Sequence, residues 1–363
     1  MKVIFHTLSF TLFGFFLAGC SPADQSAEDV STGAVAESPR FERLSGGENF
    51  SVLLSGTPVG QMEVVHDDVT RVEYEYRSNG RGPTINENVE FDESGFPVNW
   101  LISGSAAFGN EFEESFTVEE GQATWTDSTG TGSADLNEAR LYVAQDTGPY
   151  GLWVYARLLL ADPDMTLSIL PAGELRLEEM ETVEITGPNG PEAITTYALF
   201  GIDLNPSYFA LDAEGKFFAN MGPTFALIRE DYEAVEEQLR NLTVEYSAKR
   251  FEVIQESVTH NFERPLRINN VRLFDHTTLS LTDYASVLVN GNRIAAIDSV
   301  QEQAADNEIM IDGNGGTLVA GMVEMHGHLG QDSALLNIAA GVTSVRDMGN
   351  NNEVLTDLIE KFD

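Results

Sequence analysis

Between Phe50 and Phe200 the sequence breaks into short runs of alternating apolar and polar residues, and this period of two constrains the fold more than any other feature. The runs at 51–54, 60–65, 69–76, 85–91 and 98–102 are separated by Gly, Asn, Asp and Pro, and 112–116, 123–125 and 194–200 extend the series. Successive side chains of a strand point to opposite faces, so the pattern predicts antiparallel strands with one wet face. Two interruptions have helical spacing. Residues 150–161 are apolar nearly all round and predict a buried helix. Over 229–256, Tyr232, Val235, Leu239, Leu242 and Tyr246 recur at three- and four-residue steps, giving one apolar face. This second helix is read as a strut leading out of a β-rich domain, 45–262. Trp100, Phe116, Trp125 and Trp153 are candidates for its core. His66 and His260 are isolated in sequence, and no glycine-rich phosphate loop or partnered Ser–His pair accompanies them.

Acidic residues outnumber basic ones 58 to 20, for a formal net charge of −38. Such an excess repels polyanions, so no nucleic-acid partner is expected.

The chain begins with Lys2, then an apolar stretch through Leu17, and then Leu17-Ala-Gly-Cys20. A basic start, a short apolar core and small residues before a cleavage point form a secretory signal, 1–19, too short and wrongly flanked for a lasting span. The last four residues resemble a bacterial lipobox. That resemblance implies acylation of Cys20, the sole cysteine, and a lipid anchor in the membrane. Ser21 after it resembles the pattern of Gram-negative lipoproteins bound for the outer membrane, facing the periplasm. Residues 20–44 are rich in Ser, Ala, Asp, Glu and Pro without periodicity and read as a flexible tether.

Near the other end stands Gly321-Met-Val-Glu-Met-His-Gly-His-Leu329. At i and i+2 of an extended strand, the imidazoles of His326 and His328 share a face, offering half of a metal site. A stable zinc site takes three or four ligands, so the pair implies further partners. Upstream lie 266–275, 285–298, with Asn290-Gly291 as a tight-turn signal, and 311–321; downstream lies 335–349. The order and spacing of these pieces resemble the amidohydrolase superfamily of metal-dependent hydrolases, nearer its imidazolonepropionase-like and Xaa-Pro-dipeptidase-like branch. The resemblance covers about the last hundred residues.

That resemblance implies strands of a composite β-sandwich over 263–321 and the start of a catalytic barrel over 322–363. The expected fold class is therefore mixed: a β-rich domain, a partial β-sandwich, and the first two β/α units of a truncated TIM-type (β/α)8 barrel. It implies one or two divalent ions, zinc, held in part by His326 and His328, and hydrolysis of carbon–nitrogen bonds in amides, cyclic amides or small peptides. Where the family shows Asp two residues before the first histidine, this chain has Glu324, a candidate for orienting an imidazole. Arg346-Asp347 after the second strand reads as an ion pair or loop anchor. The family's remaining ligands and its proton-shuttling aspartate match no residue here, so no catalytic residue is identified and the chain is expected to be an inactive fragment. The alternative from a different class is a non-catalytic envelope lipoprotein whose β-rich domain binds a ligand or partner.

Overall fold

The alternating runs pair with one another largely in chain order. β1 (Gly46–Leu54), β2 (Thr57–His66), β3 (Thr70–Tyr76), β4 (Thr84–Phe91), β5 (Pro97–Ser105), β6 (Glu111–Glu119), β7 (Gln122–Asp127) and β8 (Gly130–Asp135) form successive antiparallel hairpins. After β9 (Leu141–Tyr142) and helix α1 (Tyr150–Ala161) come β10 (Thr166–Leu170), β11 (Glu174–Gly187), β12 (Gly190–Phe200), β13 (Ser207–Asp212), β14 (Phe217–Met221) and β15 (Phe225–Arg229). All fifteen strands belong to one sheet, ordered β8 to β1, then β15 to β9. The two series meet where β1 pairs antiparallel with β15, Phe50 opposite Arg229 and Val52 opposite Leu227. The computed structural model describes residues 46–136, 140–301, 303–329, 331–349 and 356. The chain divides into a first unit, Met1–Pro39, which lies outside these residues, and a second, Arg40–Asp363.

Alternation becomes burial directly. In β3, Thr70, Val72 and Tyr74 are buried while Arg71, Glu73 and Glu75 are exposed. One cluster joins Val52, Val64, Val72, Trp100 and Phe116 to Leu175, Phe209 and Leu227, together with Trp153, Tyr155 and Leu159 of α1. A sheet contributes strands from both of its halves to a single cluster only by curling, so its inner face wraps α1. That explains why α1 is apolar nearly all round: nine of its twelve residues are buried. Each large apolar side chain so buried contributes about 1.5–3 kcal/mol.

The opposite face of the later strands is covered as well. After a 3-10 turn (Glu233–Val235), α2 (Glu236–Val258) places Leu239 and Tyr246 with Val235 against Ile185, Ile194, Ala210, Phe218 and Ile228. Tyr246 exchanges a hydrogen bond with Thr196 (2.9 Å) and donates to Glu181 (3.0 Å). β13, β14 and β15 are thus buried on both faces, and their sequences are nearly continuous apolar runs. The period-of-two argument passes over such runs, and it named none of these three strands. The far half of α2 leaves the sheet, with Val253 and Val258 exposed.

Next comes a six-stranded sheet. β16 (Leu266–Asp275) pairs antiparallel with β17 (Ser280–Leu281) and β18 (Ala285–Asn290), and parallel with β20 (Ile309–Asp312) and β21 (Thr317–Leu318); β19 (Arg293–Ser299) pairs with β18. Asn290-Gly291 makes the tight turn between β18 and β19, Gly291 taking φ +56°. The Arg267 guanidinium binds both oxygens of Glu308 (2.6 and 2.9 Å), Asp298 (2.9 Å) and Ser286 (2.8 Å), tying β16 to β18, to β19 and to the residue just before β20. These bonds hold Glu308 below the usual carboxylate range.

The expected fold class is overturned here. Strand dominates the described residues, three α-helices stand among them, and no barrel of β/α units is present. Residues 266–318 form one sheet, where the first strands of a composite sandwich were expected. Beyond it, β22 (Met322–Gly327), α3 (Gln331–Ala339) and β23 (Val342–Asp347) make a parallel two-stranded sheet with one crossover helix. Met322, Val323 and Met325 are exposed, whereas the strands of a parallel barrel wall are covered on both faces. Short apolar runs and one βα spacing are shared by many folds, and only the long-range pairing separates them. The helix of the second expected β/α unit falls on residues outside those described, apart from residue 356.

Candidate metal-binding site

β22 and β23 run parallel, Met322 opposite Val342 and Gly327 opposite Asp347, so their carboxyl ends lie side by side. Ligands of parallel sheets gather at such ends. Gly327 lets the strands close: a Cβ there would collide with the Val345 side chain. On either side of that glycine stand His326 and His328, with ring centroids 5.5 Å apart and planes at 69°.

His328 Nδ1 lies 2.8 Å from the Gly349 carbonyl oxygen. A carbonyl only accepts, so in the neutral ring Nδ1 carries the proton and Nε2 keeps its lone pair, the form in which an imidazole ligates a metal. Zinc–nitrogen bonds of about 2.0–2.1 Å in tetrahedral arrangement put two ligating rings roughly 5 Å apart between centroids. The observed separation fits that spacing. Both side chains are exposed, so a cation has access. Among the described residues no third His, Cys, Asp or Glu joins them in a metal-holding group.

The other sequence-derived candidates are placed as follows. Glu324 accepts the backbone N–H of His326 at 2.8 Å, so its observed bond goes to the strand and not to an imidazole. Asp347 accepts N–H bonds from Leu329 (3.2 Å) and Gly349 (3.0 Å), anchoring the loops that follow both strands. Cys20 lies outside the described residues.

Sequence reasoning missed two buried carboxylates inside the large sheet. Glu87 (1% exposed) accepts from Trp100 Nε1 (2.9 Å), the Thr147 hydroxyl (2.9 Å) and Gly148 N–H (2.8 Å). Glu114 (3% exposed) accepts from the Tyr142 hydroxyl (2.6 Å), Gln145 N–H (3.0 Å) and Asp146 N–H (2.7 Å). Burial pushes both carboxyls above their ordinary range, against the lowering effect of those bonds. Together they seat the segment that leads into α1. A signal was present: Glu87 stands between Ile85 and Val89, and Glu114 between Phe112 and Phe116, each in register with the inward face.

His66, isolated in sequence, is buried beside Tyr150 and Trp153, with Nε2 3.4 Å from Glu48. It borders an open basin of about 810 Å³, in whose lining Arg229 pairs with Asp212 (2.7 Å) and Tyr232 donates to Glu192 (2.8 Å). Among the described residues, the hydrogen-bond contact of this imidazole is the Glu48 carboxylate.

No protein-family model matches the sequence, and no curated protein matches it. Partial likeness exists to solved structures. A prolidase crystallised with N-methylphosphonate-L-proline shares 20% identity over 27% of this chain and 29% of its own, at a TM-score of 0.22. The chain thus spans about three-tenths of that enzyme's length. A β-barrel-like protein of a domain of unknown function from Brucella abortus shares 11% identity over 50% of this chain and 93% of its own, with a TM-score of 0.34. A Pseudomonas aeruginosa protein, also of an uncharacterised family, shares 13% identity over 57% and 93%, with a TM-score of 0.20.

Proposed function

We propose that the β22–β23 segment carries part of a metal-dependent hydrolase site, in which His326 and His328 hold a divalent cation, zinc. The observation that carries this reading is the pair of imidazoles with ring centroids 5.5 Å apart, one of them with Nδ1 2.8 Å from the Gly349 carbonyl oxygen. The order of the four sequence pieces that resemble amidohydrolases supports it independently. A bound zinc ion lowers the pKa of its water and polarises a carbonyl. The chain's own part is to present two nitrogen lone pairs on one face, to hold the His328 ring by its Nδ1–H, and to keep both loop ends apposed through Asp347. Substrates of this class are amides, cyclic amides or small peptides. Two imidazoles supply fewer than the three protein ligands of a working zinc site. With no third metal-holding side chain beside them among the described residues, the chain is expected to bind zinc weakly, and Cys20 to tether it by acyl chains to the envelope membrane.

Equilibrium dialysis with zinc, with the metal counted by mass spectrometry, tests the reading. The unaltered chain should retain zinc in a manner lost in both His326→Ala and His328→Ala. Equal retention by all three would reject it. A second reading, a ligand-binding lipoprotein without catalysis, is favoured by the open basin at His66; ligand-induced protection of Glu48 and Asp212 segments from hydrogen exchange would support it.

A further inference from the structure

We infer that Asp347 is a positioning residue for His328, acting through the backbone of Gly349 to fix which imidazole nitrogen carries the proton. The consequence for metal rests on the reading above; the geometry does not. Asp347 ends β23 opposite Gly327, one residue before His328. Its two carboxylate oxygens do different things. Oδ2 accepts Leu329 N–H at 3.2 Å, holding the backbone just after His328, while Oδ1 accepts Gly349 N–H at 3.0 Å. Met348 N–H donates to the Gly327 carbonyl at 2.9 Å, closing the two turns against each other. The Gly349 carbonyl then faces His328 Nδ1 at 2.8 Å, while the Gly349 Cα side faces the same ring, where an added Cβ would lie 3.5 Å from Cε1.

The chain of contacts has a direction. A carboxylate can only accept, so it orients both N–H groups toward itself; the loop that follows β23 is thereby seated with its Gly349 carbonyl toward the imidazole. That carbonyl can only accept, so it demands the proton on Nδ1. Nε2 is left as the lone-pair nitrogen. Asparagine at position 347 keeps the shape but replaces one acceptor oxygen with an NH2 group. It therefore faces one of the two N–H donors with a donor of its own, and the loop loses one of its two anchors. An aspartate acting only as a loop staple would affect stability when changed but would leave the His328 tautomer ratio where it was. Partners that orient a ligating imidazole typically change metal affinity by 10–100-fold when removed.

The test is made on the full chain, metal-free, with nitrogen-15 in the histidine rings. Ring correlation spectra report each tautomer, and His328→Ala assigns the His328 signals among the six histidines. The unaltered chain should show His328 protonated at Nδ1. In Asp347→Asn the population should move toward the Nε2–H form, with the circular dichroism spectrum unchanged, and zinc affinity should fall roughly 10–100-fold. A predominant Nε2–H tautomer in the unaltered chain overturns the inference before any variant is made. So does a folded Asp347→Asn with an unaltered tautomer ratio. Should Asp347→Asn fail to fold, Asp347→Glu, which keeps the charge and displaces both acceptors, is read in the same way. If the tautomer responds to Asp347 but zinc retention never depends on His326, the metal reading fails and the positioning role stands.

Discussion

The Glu87 carboxylate accepts the indole N–H of Trp100 at 2.9 Å in a place where neither residue meets solvent: they are 1% and 0% exposed. The same carboxylate takes Thr147 and Gly148, so it joins the sheet to the segment that seats α1. Glu87→Ala leaves Trp100 Nε1 and Gly148 N–H buried without that acceptor, at about 1–3 kcal/mol each. The variant should lose at least about 2 kcal/mol of unfolding free energy, measured by urea denaturation.

The pH dependence of that site has a definite sign. Burial raises the pKa of Glu87 and Glu114, so the folded chain keeps protons on them where the unfolded chain has released them. Their contribution to stability is complete below the ordinary carboxylate pKa and is lost as pH rises through the raised values. The unaltered chain should therefore lose stability relative to Glu87→Gln between acid and neutral pH. A difference that stays flat across a pH series of urea melts would show that Glu87 ionises normally.

α2 is held by few residues. Leu239 is fully buried against the outer face of the sheet, and a buried leucine cut to alanine costs about 2–5 kcal/mol. Leu239→Ala should speed amide exchange along α2 and lower the urea midpoint. The exposed Val253→Ala should do neither.

For the proposed metal site, the two imidazoles act as a unit. Zinc retention should be lost to a similar degree in His326→Ala, His328→Ala and the double variant, since one remaining ring is no better a chelate than none. A double variant whose loss equals the sum of two independent effects would show separate sites.

At the other end, labelled palmitate should be incorporated in cells expressing the chain and should vanish with Cys20→Ser. Absence of label in the unaltered chain would remove the lipid anchor from the proposal.

What could be read from residues alone follows from how far each signal reaches along the chain. The period of two marked the strands that have one wet face, such as 69–76, and the all-apolar stretch 150–161 marked a helix with no wet face. His326 and His328 were paired in the sequence because i and i+2 share a face in an extended strand; β22 ends at Gly327, so His328 stands just beyond it. Tyr232 to Tyr246 gave the docking face of α2 for the same kind of reason.

The sequence by itself therefore determined local period, face and helix packing stripe, all set by backbone geometry within a few residues. Only the tertiary structure decided that β1 closes on β15, that β13–β15 are covered on both sides, and that the last strands form a two-stranded sheet rather than a barrel wall. It alone showed Glu87 and Glu114 holding a segment about thirty to sixty residues away, and Asp347 reaching His328 through Gly349. The physical reason is common to all of these. Pairing and hydrogen bonding across large separations depend on which surfaces meet after the chain has folded back, and no local pattern of residues encodes that choice uniquely.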